Sequence, residues 1–449
     1  MRFHKFISVA SLIFLLLFGL VVVSAWSVRH AIRGGQRFSE GVRNSILAIA
    51  EFPVKAKSVL NLFGNYFPPK GVPSVYSDYS VVHKSTNAIT GFLLVSCISS
   101  NGMNSVLLLN ISNKTSRKIN LNGDNLKVKS YSDFLVGSEP RRQSVFSSRG
   151  RIWHPHLTKE GVLTFAMPWN DLTSIDLKTG KQRWVIRGAF HHSIEVDTDG
   201  NLWACGAVQP NAIKNLNPRM RQSNESFEDQ ALVKVSTSGK ILEVISVADL
   251  LVMSQLENVL YGVSNPNDIL DPLHLNQITP ILTDSGLFRK GQVLVSLRNI
   301  SKILLVDPVA KSIIWEGGGG WMNQHCVVPI GPSRFSILDN HSFASGEYWL
   351  DPGWRTRVVE HNVETGSTTE IRFNKYSPRE FHIPIEGRAL PIGVDAWLIE
   401  DSVAGTIMIF RNGQLVYKWS NDYADGKVGV VSWCRYLPDD MVPDFLFNN

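Results

Sequence analysis

The stretch "WMNQHCVVPIGPSRFSILDNHS", Trp321 to Ser342, sets two nucleophile candidates side by side, His325 and Cys326. Glycines 317–320 precede it, an apolar run follows, and then come Asp339, Asn340 and His341. Successive side chains of a strand point to opposite faces, so only one of the pair can face a given cavity. Three other places carry polar residues at the ends of apolar strands. "GAFHHSIEVDTDGN" has His191 and His192; "DPLHLNQI" has His274 and Asn276, two apart and so on one face of an extended segment; "GQVLVSLRNISKILLVD" has Arg298 after an apolar run. A buried Arg needs an anion or a carboxylate. Taken singly, each of these is also the kind of residue that a β-protein uses structurally, and His154, His156, His341 and His361 read that way.

Three neutral imidazoles can hold zinc. Arg298 in the same pocket argues against a metal, because a guanidinium repels a dication. Arg, His and Asn donors suit an oxyanion instead, sulfuryl or phosphoryl. In transfer of such a group, charge spreads over the equatorial oxygens, and catalysis is mostly positioned donors plus an in-line nucleophile. Imidazole is a competent nucleophile near neutral pH. No Gly-x-x-x-x-Gly-Lys-Ser/Thr loop occurs, so nothing cradles a nucleotide donor, and no cofactor is expected.

These residues lie far apart in sequence and need a fold that gathers them. From about residue 76, short apolar runs alternate with Gly, Asn, Asp and Ser. One phrase recurs, strand, polar turn, strand: from Val106, Ser174, Leu232, Ile303, Val358 and Ile407. Each reads as a hairpin. Six copies spaced about 50 to 70 residues apart signal radial repetition. A lone antiparallel blade cannot bury both faces, whereas blades packed round an axis can. The expected fold is all-β, a six-bladed β-propeller over 76–449, with functional residues contributed one or two per blade near the axis.

Residues 6–28, "FISVASLIFLLLFGLVVVSAWSV", carry no charge and are long enough to span a bilayer. They follow Arg2 and Lys5, and Val23-Ser24-Ala25 is a pattern that a signal peptidase accepts. Residues 1–28 are therefore expected to be a signal peptide or signal anchor, sending the body across a membrane. Arg29, Arg33, Arg37 and Arg43 run the other way by positive-inside counting. Residues 29–75 read as a partly helical connector, a stalk or a helix lying on the body, with a dimer contact as the alternative. The net charge of +6 is scattered, with no Lys/Arg run of the kind that tracks nucleic acid. Four cysteines, Cys97, Cys205, Cys326 and Cys434, could pair in three ways after export.

On the phrases "HHSIEVDTDGN", "DPLHLNQI", "VLVSLRNISKILLVD…IIWEGG" and "QHCVVPIG…FSILDNHS", over roughly residues 170 to 345, the sequence resembles the bacterial arylsulfate sulfotransferase family. It departs from the family's pattern at Ser193 and Cys326, where acidic residues are common, and at Pro272, where an aromatic is usual. The resemblance implies a six-bladed propeller, exported to the periplasm and often a homodimer, that moves a sulfuryl group from an aryl sulfate donor to a phenolic acceptor without a nucleotide donor. It makes His325 the nucleophile, passing through sulfohistidine. Arg298 and His274 would hold the sulfuryl oxygens with Asn276 beside them. His192 would complete the clamp or shuttle the phenolic proton, with His191 as the alternative register. Two other readings compete. A metal-dependent propeller hydrolase of the lactonase kind would need axial carboxylates. A non-catalytic membrane-anchored scaffold would scatter the histidines without a shared pocket.

Overall fold

The hairpin turns are set locally, and the rest of the architecture follows from where their strands find partners. The computed structural model describes residues 72–73, 89–98, 104–119, 121, 152–167, 170–208, 229–261, 271–342, 355–373, 383, 385–424 and 427–446. The chain divides into two units, Met1–Pro69 and Lys70–Asn449, and the described residues belong to the second. The expected signal segment, and all of the connector except residues 72–73, lie outside them. Among the described residues no helix is long and apolar enough to cross a membrane.

The described body is all-β and propeller-like. Four sheets have four antiparallel strands each, and a fifth has seven. Phe92–Ile98, Asn104–Asn110 and Ser116–Ile119 form one sheet with the late strand Arg435–Leu437. That pairing, Phe92 opposite Leu437, ties the two ends of the body together. The seven-stranded sheet runs from Trp153–Leu157 to Ile241–Ser246 and contains the long strand Lys181–Val196. Its first half pairs with Asn170–Asp176 and its second half with Leu202–Val208. The remaining sheets span Leu275–Gly318, His325–Ile371 and Arg388–Ser420. All six hairpins read from the sequence are formed, each as the last two strands of a four-strand series.

Sheet faces are apolar on both sides, because each packs against a neighbour. Leu294 and Ile303 meet Phe335 and Ile337 of the next sheet. Leu338 and Val358 meet Ile399 and Phe410. Leu398 and Ile407 meet Leu93 and Val95, closing the circuit. One further cluster joins Leu172 and Ile186 to Leu202 and Val233, across the two halves of the seven-stranded sheet. All four cysteines are buried and none is in a disulfide.

The first strand of most series begins with a non-glycine residue in the left-handed region: His154 (φ 42°), His192 (φ 51°), His274 (φ 52°), Cys326 (φ 54°) and Trp433 (φ 55°). Register shifts accompany four of them, at Trp153/His156, His191/Ile194, Leu275/Gln277 and His325/Val328. Such bulges re-aim side chains, at a cost on the order of 1–3 kcal/mol each that the packed sheets must hold down.

Candidate active site

The bulges gather side chains from separate sheets. His192 lies with its ring centre 4.9 Å from those of His191 and His274, edge to face. Trp153 stands 4.4 Å from it and Trp433 5.6 Å. His325 also meets Trp433, at 6.2 Å. Arg298, buried at the end of the strand Val293–Leu297, is close enough to act electrostatically on both His192 and His325. Its backbone N–H donates to His274 O at 3.0 Å, so Arg298 and His274 are locked to each other through the main chain. Its Nη1 donates to Asn299 Oδ1 at 2.8 Å.

All three histidines of this group are held through Nδ1. His192 Nδ1 is 2.7 Å from His191 Nδ1. His274 Nδ1 is 2.5 Å from Asp271 Oδ2. His325 Nδ1 is 2.7 Å from Asn340 Oδ1. The Asn340 amide nitrogen donates to Ile383 O at 2.7 Å and Glu386 O at 2.8 Å. Those two carbonyls require NH2 on their side, so the Asn340 carbonyl oxygen faces His325 and its ring must donate from Nδ1. The lone pair of His325 then sits on Nε2.

Electrostatics keep the rings of His191, His192 and His325 neutral. Burial first, and the Arg298 guanidinium next, bring the His325 imidazole down to about 3, against the opposing pull of its bond to Asn340. Burial, then His191, His274, His325 and Arg298, hold His192 well below its ordinary value. Burial likewise takes His191 to about 3. A neutral imidazole keeps a lone pair for attack, and a permanent guanidinium beside it suits an anionic substrate.

His274 and Asn276 do not share one environment, because the strand bulges between Leu275 and Gln277. His274 turns to Asp271 and His192, whereas the fully buried Asn276 donates from Nδ2 to Gln324 O at 2.8 Å. Asn276 thus fastens the residue before His325 across the sheet boundary. His325 and Cys326 part company as well. Cys326 packs with Leu338, Val358 and Ile383, and its thiol donates to Ala389 O at 3.3 Å. Ser193 is a bridge between sheets, its hydroxyl accepting from Ile278 N at 2.9 Å and meeting Cys205 Sγ at 3.3 Å. Among the described residues, no group of three or more His, Cys, Asp or Glu is arranged to hold a metal ion.

Asp271, Asn340, Trp153 and Trp433 were not singled out by the sequence reading. Asp271 and Asn340 lie inside the quoted phrases, and an acidic residue three before a histidine was the one available signal. Trp153 opens a strand and Trp433 lies just before one, and neither segment has a recognisable pattern.

The sequence profile of the arylsulfotransferase (ASST) family matches residues 167–421. No curated protein matches the chain. Solved structures that resemble it include the RRP9 WD40 repeats, at 8% identity and a TM-score of 0.34 over 64% of this chain and 66% of that one. U3-55K aligns at 9% identity and a TM-score of 0.31, over 58% of this chain and 61% of that one. The chain spans less than two thirds of the length of these two. A catalytically inactive virginiamycin B lyase from Staphylococcus aureus with quinupristin aligns at 10% identity and a TM-score of 0.36, over 80% of this chain and 87% of that one.

Proposed function

Because the chain belongs to the arylsulfotransferase family, we propose that it moves a sulfuryl group from an aryl sulfate to a phenol through a sulfohistidine at His325, with no nucleotide donor. The observation that carries this reading is the convergence of His192, His274 and Arg298 around a neutral His325 whose Nδ1 is occupied by Asn340. The Nε2 lone pair attacks sulfur, and the sulfur–oxygen bond to the aryl group breaks. Arg298 stabilises the charge gathering on the sulfuryl oxygens. Since Nδ1 keeps its proton toward Asn340, the adduct ring is cationic and its nitrogen is a good leaving group for the second half-reaction. The acceptor phenol then takes the sulfuryl group and regenerates His325.

Six blades are part of the same proposal. The long strand Lys181–Val196 serves as the outer strand of one blade and the inner strand of the next. The apolar cluster between the two halves of that sheet supports this count. We place the propeller outside the cytoplasm, with residues 6–28 as its signal or anchor. Removal of residues 1–28 should then leave a soluble, folded body; aggregation with loss of β-structure would make that segment part of the core.

The decisive experiment is a single-turnover reaction with an aryl sulfate and no acceptor. One equivalent of phenol should appear in a burst, with one sulfuryl mass gained on the peptide from Trp321 to Arg334. His325→Ala should abolish burst and adduct together. Modification on Cys326, or normal turnover by His325→Ala, would sink the reading.

A further inference from the structure

Resting on that reading, we propose that His274, oriented by Asp271, is the residue that gives a proton to the departing aryl oxygen and takes it back from the acceptor phenol. The sulfuryl reading needs such a group, and three imidazoles compete for the work. His325 is committed to sulfur. His192 has a neutral imidazole, His191, on its Nδ1. Only His274 has a carboxylate there, with Asp271 Oδ2 at 2.5 Å. A carboxylate on Nδ1 fixes the tautomer, leaves Nε2 for the substrate and stabilises the imidazolium that forms on protonation.

The carboxylate is itself held. Asp271 Oδ1 accepts from the backbone N–H of His274 at 2.9 Å and from Gln230 Nε2 at 3.1 Å. Asp271 O accepts from Asn299 Nδ2 at 2.7 Å, and Asn299 also receives Arg298. The pair is therefore tied to the main chain that carries the sulfuryl-binding Arg. Burial opposes ionisation of Asp271, but the charge and hydrogen bond of His274 outweigh it, so the carboxyl stays below its ordinary value.

Access favours the same residue. His274 is part-exposed, whereas His192 and His325 are buried. In-line displacement puts the leaving aryl oxygen opposite the attacking nitrogen. An aryl group must enter and leave by the open side, and the proton must exchange with water there.

The chemistry balances over the two steps. His325 Nε2 bonds to sulfur, the sulfur–oxygen pair goes to the aryl oxygen, and that oxygen takes the Nε2 proton of the His274 imidazolium. In return, the acceptor O–H proton passes to His274 Nε2 as the acceptor oxygen bonds to sulfur and the pair of the nitrogen–sulfur bond returns to His325. One aryl sulfate and one phenol exchange the sulfuryl group, and His274 ends protonated as it began.

Leaving-group dependence tests this. A 4-nitrophenolate departs without a proton; a 4-methylphenolate needs one. Burst rates with the two aryl sulfates are compared in wild type, Asp271→Asn and His274→Gln. The 4-nitrophenyl sulfate burst of Asp271→Asn is the reference for that variant, and a wild-type denaturation midpoint shows that it is folded. With 4-methylphenyl sulfate its burst should fall by a further factor on the order of 10²–10⁴, the usual reach of general acid catalysis. His274→Gln should show the same selective loss. Equal losses with both donors, or none with either, would overturn the assignment while leaving the sulfohistidine intact. Absence of any burst or adduct in wild type would instead remove the reading on which it rests.

Discussion

Two groups of buried and part-buried charged and imidazole side chains meet at Trp433. On one side are His192, His274, Arg298 and His325. On the other are His154, Glu195, Arg388 and Arg435. Trp433 touches His192 and His325, and also His154 at 5.7 Å and Arg388 at 5.6 Å. The residue types are nearly the same, and both groups draw on several sheets. What differs is the company of the cations. Glu195 Oε1 receives Arg388 at 3.2 Å and its Oε2 receives Arg435 at 2.9 Å, so one carboxylate sits between two guanidiniums. Ile194 N–H donates to His154 Nδ1 at 3.0 Å, which leaves the other nitrogen facing this network. Arg298 donates to the Asn299 amide oxygen, and the carboxylate nearby, Asp271, is engaged with His274. A carboxylate set between two guanidiniums serves as a tie between sheets. A carboxylate set on an imidazole orients that ring.

The strongest way to break this contrast is Glu195→Gln. It leaves Arg388 and Arg435 buried without their shared carboxylate. Breaking a buried pair by removing one partner costs roughly 3–5 kcal/mol, a large fraction of a domain's stability. Chemical denaturation should show that loss. If Glu195→Gln unfolds at the wild-type denaturant concentration, the tie is not structural.

Arg298→Lys should do the reverse, leaving stability near wild type and removing rate. A point charge cannot reproduce a fork of donors on a sulfuryl group. Loss of one such donor costs about 3 kcal/mol of transition-state stabilisation, or roughly a hundredfold in turnover of an aryl sulfate. Wild-type turnover by this variant would take Arg298 out of the site.

The hairpins were legible because their turns are local. Lys178-Thr179-Gly180 and Asn412-Gly413 announce reversals by residue type alone. The pairing of Phe92–Ile98 with Arg435–Leu437 was not, since no local pattern reports a partner more than three hundred residues away. His192, His274, Arg298 and His325 stood out as polar residues at the ends of apolar strands. Asp271, Asn340 and the Glu195 network did not, because their meaning depends on bulges. Strict alternation put His274 and Asn276 on one face, and the left-handed φ of His274 sends them to different neighbours. Alternation also separated His325 from Cys326. They do separate, although the strand between them is irregular and the left-handed residue is Cys326 itself.

Acid sharpens the comparison further. His191 and His325 are brought to about 3 in the fold, from an ordinary value of 6.5. Their folded values are depressed, so the stability that depends on keeping them neutral is complete above pH 6.5 and drains away as pH falls toward 3. Each should take about 1 kcal/mol per pH unit in that window. Glu195 is also depressed: burial raises it, but Arg435 and Arg388 prevail. Its contribution holds until pH falls below 4.5, the ordinary carboxyl value. Between pH 6.5 and 4.5 the loss should therefore come from the histidines. A denaturation series on His325→Phe should show a shallower slope there, and an unchanged slope would mean His325 does not stay neutral in the fold.

The smallest effect should come from Cys326→Ala, the neighbour that shares its peptide bond with the proposed nucleophile. Its thiol is fully buried against Leu338 and Ala389, and burial pushes its pKa up, so it is a poor thiolate. Replacement removes one sulfur atom from a packed cluster, its weak hydrogen bond to Ala389 O and its contact with the Arg388 guanidinium. The cost should be on the order of 1 kcal/mol in stability, in the range of small core truncations. Burst amplitude and the sulfuryl adduct should be unchanged, because no atom of Cys326 is among those gathered around His192 and Arg298. Loss of the burst in a variant that still unfolds cooperatively would show that the thiol, not the imidazole beside it, faces the substrate.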